Sequence, residues 1–154
     1  MISMPSSNYL YIASEQFIHD DLVARSDQMI EKLYDIWRDH KGIPSFAHAW
    51  SAESVPTVDG KRVNEVTTYL PNDDAKAARN QVLLLLERSK AYGMLIVDSS
   101  DPEEIRAYFE SMHGSKTWRI GIKHHGDTKV LSRPTTLIDS GELGLLWKKK
   151  IAKA

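Results

Sequence analysis

Two groups of side chains in this sequence suggest a functional site, and the first is acidic. Asp98 follows the apolar run 94–97, with Asp101 and Glu103 close behind it. Carboxylates at the end of a buried strand can hold a divalent metal ion for hydrolysis, with His125 as the general base. The same residue types are common in turns, where their side chains bind backbone N–H groups. We favour the turn interpretation and keep catalysis by Asp98 and His125 as the alternative.

The second group is basic. Residues 113–154 contain nine Lys and Arg against three acids, whereas residues 1–112 contain 11 basic and 18 acidic residues, although the whole chain carries only −1. Segregated charge of this kind occurs on surfaces that bind nucleic acid or an acidic protein, and equally on surfaces that are only solvated. The predicted binding residues are Lys116, Arg119, Lys123, His125 and Arg133.

Motifs of well-defined chemistry are missing from the sequence. The chain has no cysteine, which excludes disulfides, thiolate nucleophiles and Cys-based zinc sites. It also has no glycine-rich phosphate loop, no G-x-S-x-G and no H-E-x-x-H. His124 and His125 are adjacent, so on a strand they point to opposite faces and cannot both bind one metal ion. We therefore predict no metal site and no cofactor.

The elements that hold these residues follow from the spacing of apolar residues and from turn signals. We predict a loop over 43–61, with a short helical turn at 46–49 and a hairpin turn at Asp59-Gly60, and Gly42 as the residue that ends the first helix. Helices are predicted over 14–40, about 74–90 and about 101–113. Strands are predicted at 8–13, 55–58, 62–70, 94–97, within 117–133 and at 137–138.

Together these elements predict a single α+β or α/β domain with a mixed sheet of about five strands and three helices. A β-α-β step with parallel strands would run from 94 to 123, followed by a β-hairpin over 117–133. In that hairpin a two-residue type II′ turn at Gly126-Asp127 pairs Ile122 with Leu131 on the core face. Arg119, Lys123 and His125 then lie on the opposite face. We expect a globular domain over 1–147 and a basic, mobile tail over 148–154.

The fold class does not decide the function. We lean towards a non-catalytic binding or regulatory protein that contacts nucleic acid or an acidic protein through the basic hairpin. The alternatives are a small metal-dependent hydrolase or nuclease that uses Asp98, and a structural subunit of a protein complex. We expect a cytoplasmic protein that does not contact membranes, because the sequence has no cysteine, no signal-like N-terminus and no long apolar segment. A homo-oligomer is possible, because the apolar face of the first helix could dock on a second copy of the protein as well as on the sheet.

Overall fold

A long amphipathic helix opens the part of the chain that the structure, a computed structural model, describes: residues 15–56 and 62–140. Helix α1 (Glu15–His40) confirms the first predicted helix. It ends at Lys41, which has a left-handed φ of 58° and donates its N–H to the Trp37 carbonyl at 2.7 Å. Lys41, not Gly42, is therefore the residue that ends the helix. The predicted strand 8–13, the turn at Asp59-Gly60 and the tail 148–154 lie outside the described residues.

The remaining elements of the described residues are seven strands and a second helix, α2 (Ala75–Ser89). The strands lie in the order β2-β1-β3-β4-β5-β6, and all the pairs are antiparallel. β6 and β7 share one edge of β5, where β6 pairs with residues 122–125 and β7 pairs with residues 115–119. The seven strands therefore occupy six positions in the sheet. The strands are β1 (Phe46–Pro56), β2 (Arg62–Tyr69), β3 (Ala91–Asp98), β4 (Glu104–Ser111), β5 (Gly114–His125), β6 (Thr128–Leu131) and β7 (Thr135–Ser140).

The prediction of a parallel β-α-β step is wrong, and the described residues hold two helices, not three. Residues 104–111, predicted within the third helix, form strand β4, so β3, β4 and β5 are joined as antiparallel hairpins. Ile105, Ala107 and Phe109 are fully buried, because every second residue of β4 points into the core. The sheet is therefore antiparallel and not mixed. The helical turn predicted at 46–49 is also wrong, because those residues belong to β1.

Each face of the sheet packs against one helix. On one face α1 covers β3 and β4, where Leu22, Ile30 and Leu33 belong to the same buried core as Phe109. The other face packs against α2, which covers β1 to β3 through Val82, Leu85 and Leu86. Strand β3 is buried on both sides, as its unbroken apolar sequence predicts. The main contacts of α2 are thus with β1, β2 and β3, and those of α1 are with β3 and β4.

The hairpin predicted over 117–133 is confirmed in its register. Ile122 is the partner of Leu131, and both pack against the core beneath α1. Gly126 has a φ of 62°, the left-handed conformation that the first position of a type II′ turn requires. The hairpin is fastened to α1 by two side chains whose polar groups donate to its backbone. Tyr34 Oη donates to the Ser132 carbonyl at 2.6 Å, and Trp37 Nε1 donates to the Lys129 carbonyl at 2.9 Å.

Candidate functional site

Four basic side chains lie together on the side of β4 and β5 that is turned away from α1. Residues on a strand alternate in direction, and the buried Ile120 and the partly buried Ile122 pack against the core beneath α1. Their neighbours on β5 therefore point to the opposite side. The four are Arg106, Arg119, Lys123 and His125, and all of them are exposed. We call this set the cationic face. It joins three of the five predicted binding residues to Arg106, which sequence reasoning did not select.

Arg106 and Arg119 are held by one carboxylate. The two residues are directly opposite each other across β4 and β5. Arg106 Nε donates to Glu104 Oε1 at 2.6 Å, and Arg119 Nε donates to Glu104 Oε2 at 2.6 Å. The side chain of Glu104 is only 11% exposed, whereas those of Arg106 and Arg119 are 59% and 45% exposed. The carboxylate therefore lies beneath, and the surface presents guanidinium groups.

The hydrogen bonds of this cluster set the charge of its members. The Arg106 and Arg119 guanidinium groups lower the pKa of the Glu104 carboxyl by donating to it and by their positive charge. The same hydrogen bond and charge of Glu104 raise the pKa of Arg106. The Glu104 carboxyl is therefore ionised at neutral pH, and because arginine is always charged in proteins, two cations face one anion. The cluster carries a net charge of about +1.

Lys123 and His125 continue the cationic face towards the tip of the β5–β6 hairpin. Their strand partners are Val130 and Thr128, and each of these four residues is exposed. The side chains of Lys123 and His125 make no hydrogen bond or ion pair with the part of the chain that the structure describes. From Arg119 to His125 the strip runs about 20 Å, at about 3.3 Å per residue along a strand. A partner can therefore contact these two side chains without breaking a hydrogen bond or ion pair within the described residues.

The two other predicted binding residues lie on the α1 side of the sheet. Lys116 is mostly covered, with its Nζ 3.6 Å from Asp27 Oδ2 and 5.0 Å from the centre of the Trp118 ring. Arg133 lines a groove of about 530 Å³ together with Glu31 and Asp35 of α1. Acidic neighbours offset both cations, so the structure does not bring Lys116 and Arg133 together with the cationic face.

Asp98 has the hydrogen bonds of a turn residue. Its Oδ1 accepts from the backbone N–H of Ser100 at 2.9 Å and from Ser100 Oγ at 2.6 Å. It is the strand partner of Arg106, so His125 lies two strands away and about 20 Å farther along the sheet. Asp98 and His125 therefore do not form one catalytic site. Among residues 15–56 and 62–140, no three His, Asp or Glu side chains are grouped as ligands for one metal ion.

A second polar cluster joins β1 to β2, and sequence reasoning missed it because its residues are far apart in the chain. His48 Nδ1 is 2.6 Å from Thr67 Oγ1, and His48 Nε2 is 3.7 Å from Glu65 Oε2. Burial lowers the pKa of His48, and the nearby Glu65 only partly opposes this shift. The neutral imidazole thus fastens two strands on the side away from the cationic face.

Arg106 and Glu104 were missed because residues 101–113 were assigned to a helix. Their signal was present in the sequence, where Glu104, Arg106 and Tyr108 alternate with Ile105 and Ala107. Read as a strand, this alternation places the polar residues on one face. The pairing of Arg106 with Arg119 depends on the register of β4 against β5, which a local pattern does not fix.

Comparison with known proteins gives no match to any protein-family model, any curated protein or any solved structure. In the part of the chain that the structure describes, neither helix has the length and apolar character needed to cross a membrane.

Proposed function

We propose that this protein is a non-catalytic binding protein that contacts nucleic acid through the cationic face. The observation that carries the proposal is the layering of the Arg106–Glu104–Arg119 cluster, whose carboxylate is covered while both guanidinium groups are exposed. Lys123 and His125 extend this surface along the same face. Cations arranged along a strip can follow a phosphate backbone, and their contacts need neither a metal ion nor a base-reading motif. The proposal places the protein in the cytoplasm.

The absence of an exposed aromatic ring on this face favours duplex over single-stranded partners. Tyr108, the aromatic residue of β4 on this side, is half-buried and donates its hydroxyl to Glu110 at 2.5 Å. Trp118 is buried on the opposite face and donates to Asp27. Single-strand binding draws about 1–3 kcal/mol per base from stacking on aromatic rings, and these described residues offer no such platform. Contacts to duplex phosphates do not need one.

Fluorescence anisotropy with labelled single-stranded DNA, duplex DNA and duplex RNA tests this function. We expect salt-sensitive binding that is tightest for a duplex. Each phosphate contact contributes about eightfold in affinity at ~0.1 M salt, so the double variant Arg119→Ala, Lys123→Ala should lose at least tenfold. Lys116→Ala is the matched control, because it removes a cation from the other side of the sheet.

Binding to none of the three probes would refute the proposal. Equal losses in the double variant and in Lys116→Ala would also contradict it, because the cationic face would then have no special part. In either case an acidic protein would be the remaining anionic partner that the charge distribution favours.

A further inference from the structure

We propose that Arg106 and Arg119 together seat a single phosphate group, with Glu104 as the positioning residue that holds both guanidinium groups in place. This inference rests on the proposed function, because it assigns a particular phosphate contact to the nucleic-acid surface. It differs from that function in requiring a preorganised pair of side chains and not only a positive charge. The geometry of the pair, its free donors and its charge each support it.

The geometry fixes which edge of each guanidinium is used. Glu104 takes the Nε–H of Arg106 on one carboxylate oxygen and the Nε–H of Arg119 on the other, both at 2.6 Å. Directly opposite residues in antiparallel strands have Cα atoms only about 4.5–5.5 Å apart, so the two side chains rise from neighbouring points. A planar guanidinium whose Nε edge is anchored loses less freedom when its terminal nitrogens bind a ligand.

The terminal nitrogens have donors to spare. Each guanidinium has five N–H groups. In the described residues, Arg106 uses its Nε towards Glu104, and Arg119 uses its Nε and its Nη2. Both side chains are about half exposed, so the unused N–H groups face solvent. Phosphate presents several acceptor oxygens and is bound by arginine through parallel pairs of hydrogen bonds, which matches two adjacent guanidinium groups.

Some charges around the pair favour the binding of an anion, and others oppose it. Two guanidinium groups against Glu104 leave a surplus of positive charge, and like charges this close are stabilised by a second anion. Asp98 and Asp101 oppose such an anion, since both attract Arg106 at longer range. Their carboxylates are already engaged in turns, with Ser100 and with the Glu103 N–H. A phosphate would therefore approach from the Lys123 side of the pair.

Because charge and geometry both contribute, different substitutions should change the phosphate affinity in opposite directions. Glu104→Gln raises the net charge by one, so unspecific attraction predicts tighter phosphate binding, whereas loss of the positioning residue predicts weaker binding. Arg106→Lys keeps the charge but removes the planar fork. Asp98→Asn removes a repelling charge and leaves the pair intact.

The experiment is NMR titration of the arginine Nε–Hε signals with inorganic phosphate, with sodium chloride of equal ionic strength as the control. We expect the signals of Arg106 and Arg119 to shift together along one binding curve. Phosphate affinity should fall at least fivefold in Glu104→Gln and in Arg106→Lys, and should rise in Asp98→Asn. The amide spectrum of each variant shows whether it is folded, and Arg106→Lys carries the test if Glu104→Gln is not.

A phosphate affinity that is unchanged or higher in both Glu104→Gln and Arg106→Lys would overturn the proposed phosphate site, as would the same shifts with chloride alone. A duplex-DNA titration separates the two proposals. If DNA binding depends on Lys123 but not on the planar guanidinium of Arg106, the phosphate site is refuted and the proposed function stands. If phosphate shifts both arginine signals while no nucleic acid binds, the phosphate site stands and the proposed function is refuted.

Discussion

The salt dependence of nucleic-acid binding is the sharpest consequence of the cationic face, because the structure fixes how many permanent charges take part. Glu104 offsets one of the two arginine charges, so the Arg106–Glu104–Arg119 cluster can neutralise one phosphate, and the exposed Lys123 can neutralise a second. Two contacts on a duplex give a slope of about −1.8 in a plot of log K against log salt. Raising the salt from about 50 to about 200 mM should therefore weaken binding by about 12-fold.

The perturbation is Lys123→Ala, which removes one contact and no internal hydrogen bond or ion pair of the described residues. Its slope should be shallower than that of the wild type by about 0.9, so the same salt step should weaken its binding by only about 3.5-fold. The assay is anisotropy with a labelled duplex at five or more salt concentrations. The sequence also contains four lysines at 148, 149, 150 and 153, so the test is the difference in slope between variant and wild type.

Lys116→Ala provides the control for this prediction. It also removes one lysine, but Lys116 faces α1 and lies beside Asp27. Its slope should match that of the wild type within error. Equal changes of slope in both variants would refute our reasoning, since they would show that only the total charge matters. A Lys123→Ala slope identical to the wild type would refute it as well.

Three further predictions concern the turn, the core and the buried histidine. Asp98→Ala should lower the free energy of unfolding by about 1 kcal/mol through loss of its turn hydrogen bonds, and calorimetry with Mg²⁺ should show no difference from wild type. Gly93→Ala should destabilise by about 1–3 kcal/mol in urea unfolding, because its new Cβ would lie 2.8 Å from two ring carbons of Phe109. Gly42→Ala, with nothing within 4 Å, should be near neutral. For His48, the pKa is lowered by burial, so the unfolded chain binds the proton more readily. Stability should therefore fall as pH drops below about 6.5, and His48→Gln should flatten that dependence in unfolding experiments at pH 5–7.

The sequence predicts the elements whose local pattern has one interpretation. The helix over 15–40, the helix over 75–89 and the buried strand 91–98 are confirmed. Strand β4 is different, because Ile105, Tyr108 and Phe109 fit a helical face while Ile105, Ala107 and Phe109 fit a strand face. Pairing with β3 and β5 decides between the two patterns, and that pairing is non-local.

The part of the candidate site that depends on the alternation of side chains along β5 was predictable from the sequence. The two-residue turn at 126–127 fixes the register of β5 and β6, and from it Arg119, Lys123 and His125 fall on one face. By the same alternation Lys116 falls on the core face with Trp118, so its separation from the others could also be predicted. The position of Arg106 could not, because it comes from a strand assigned to the wrong class.

Protection of a sheet edge does not explain the arginines of the cationic face. Lys and Arg on an edge strand prevent pairing with another chain, but Arg106 and Arg119 lie in strands that are paired on both sides. Glu104 alone does not account for the pair either, because one carboxylate balances only one of the two charges. Asp98 is in register with Arg106, yet its Oδ1 is bound to Ser100. The surplus positive charge therefore remains at the surface, where an anionic partner can use it.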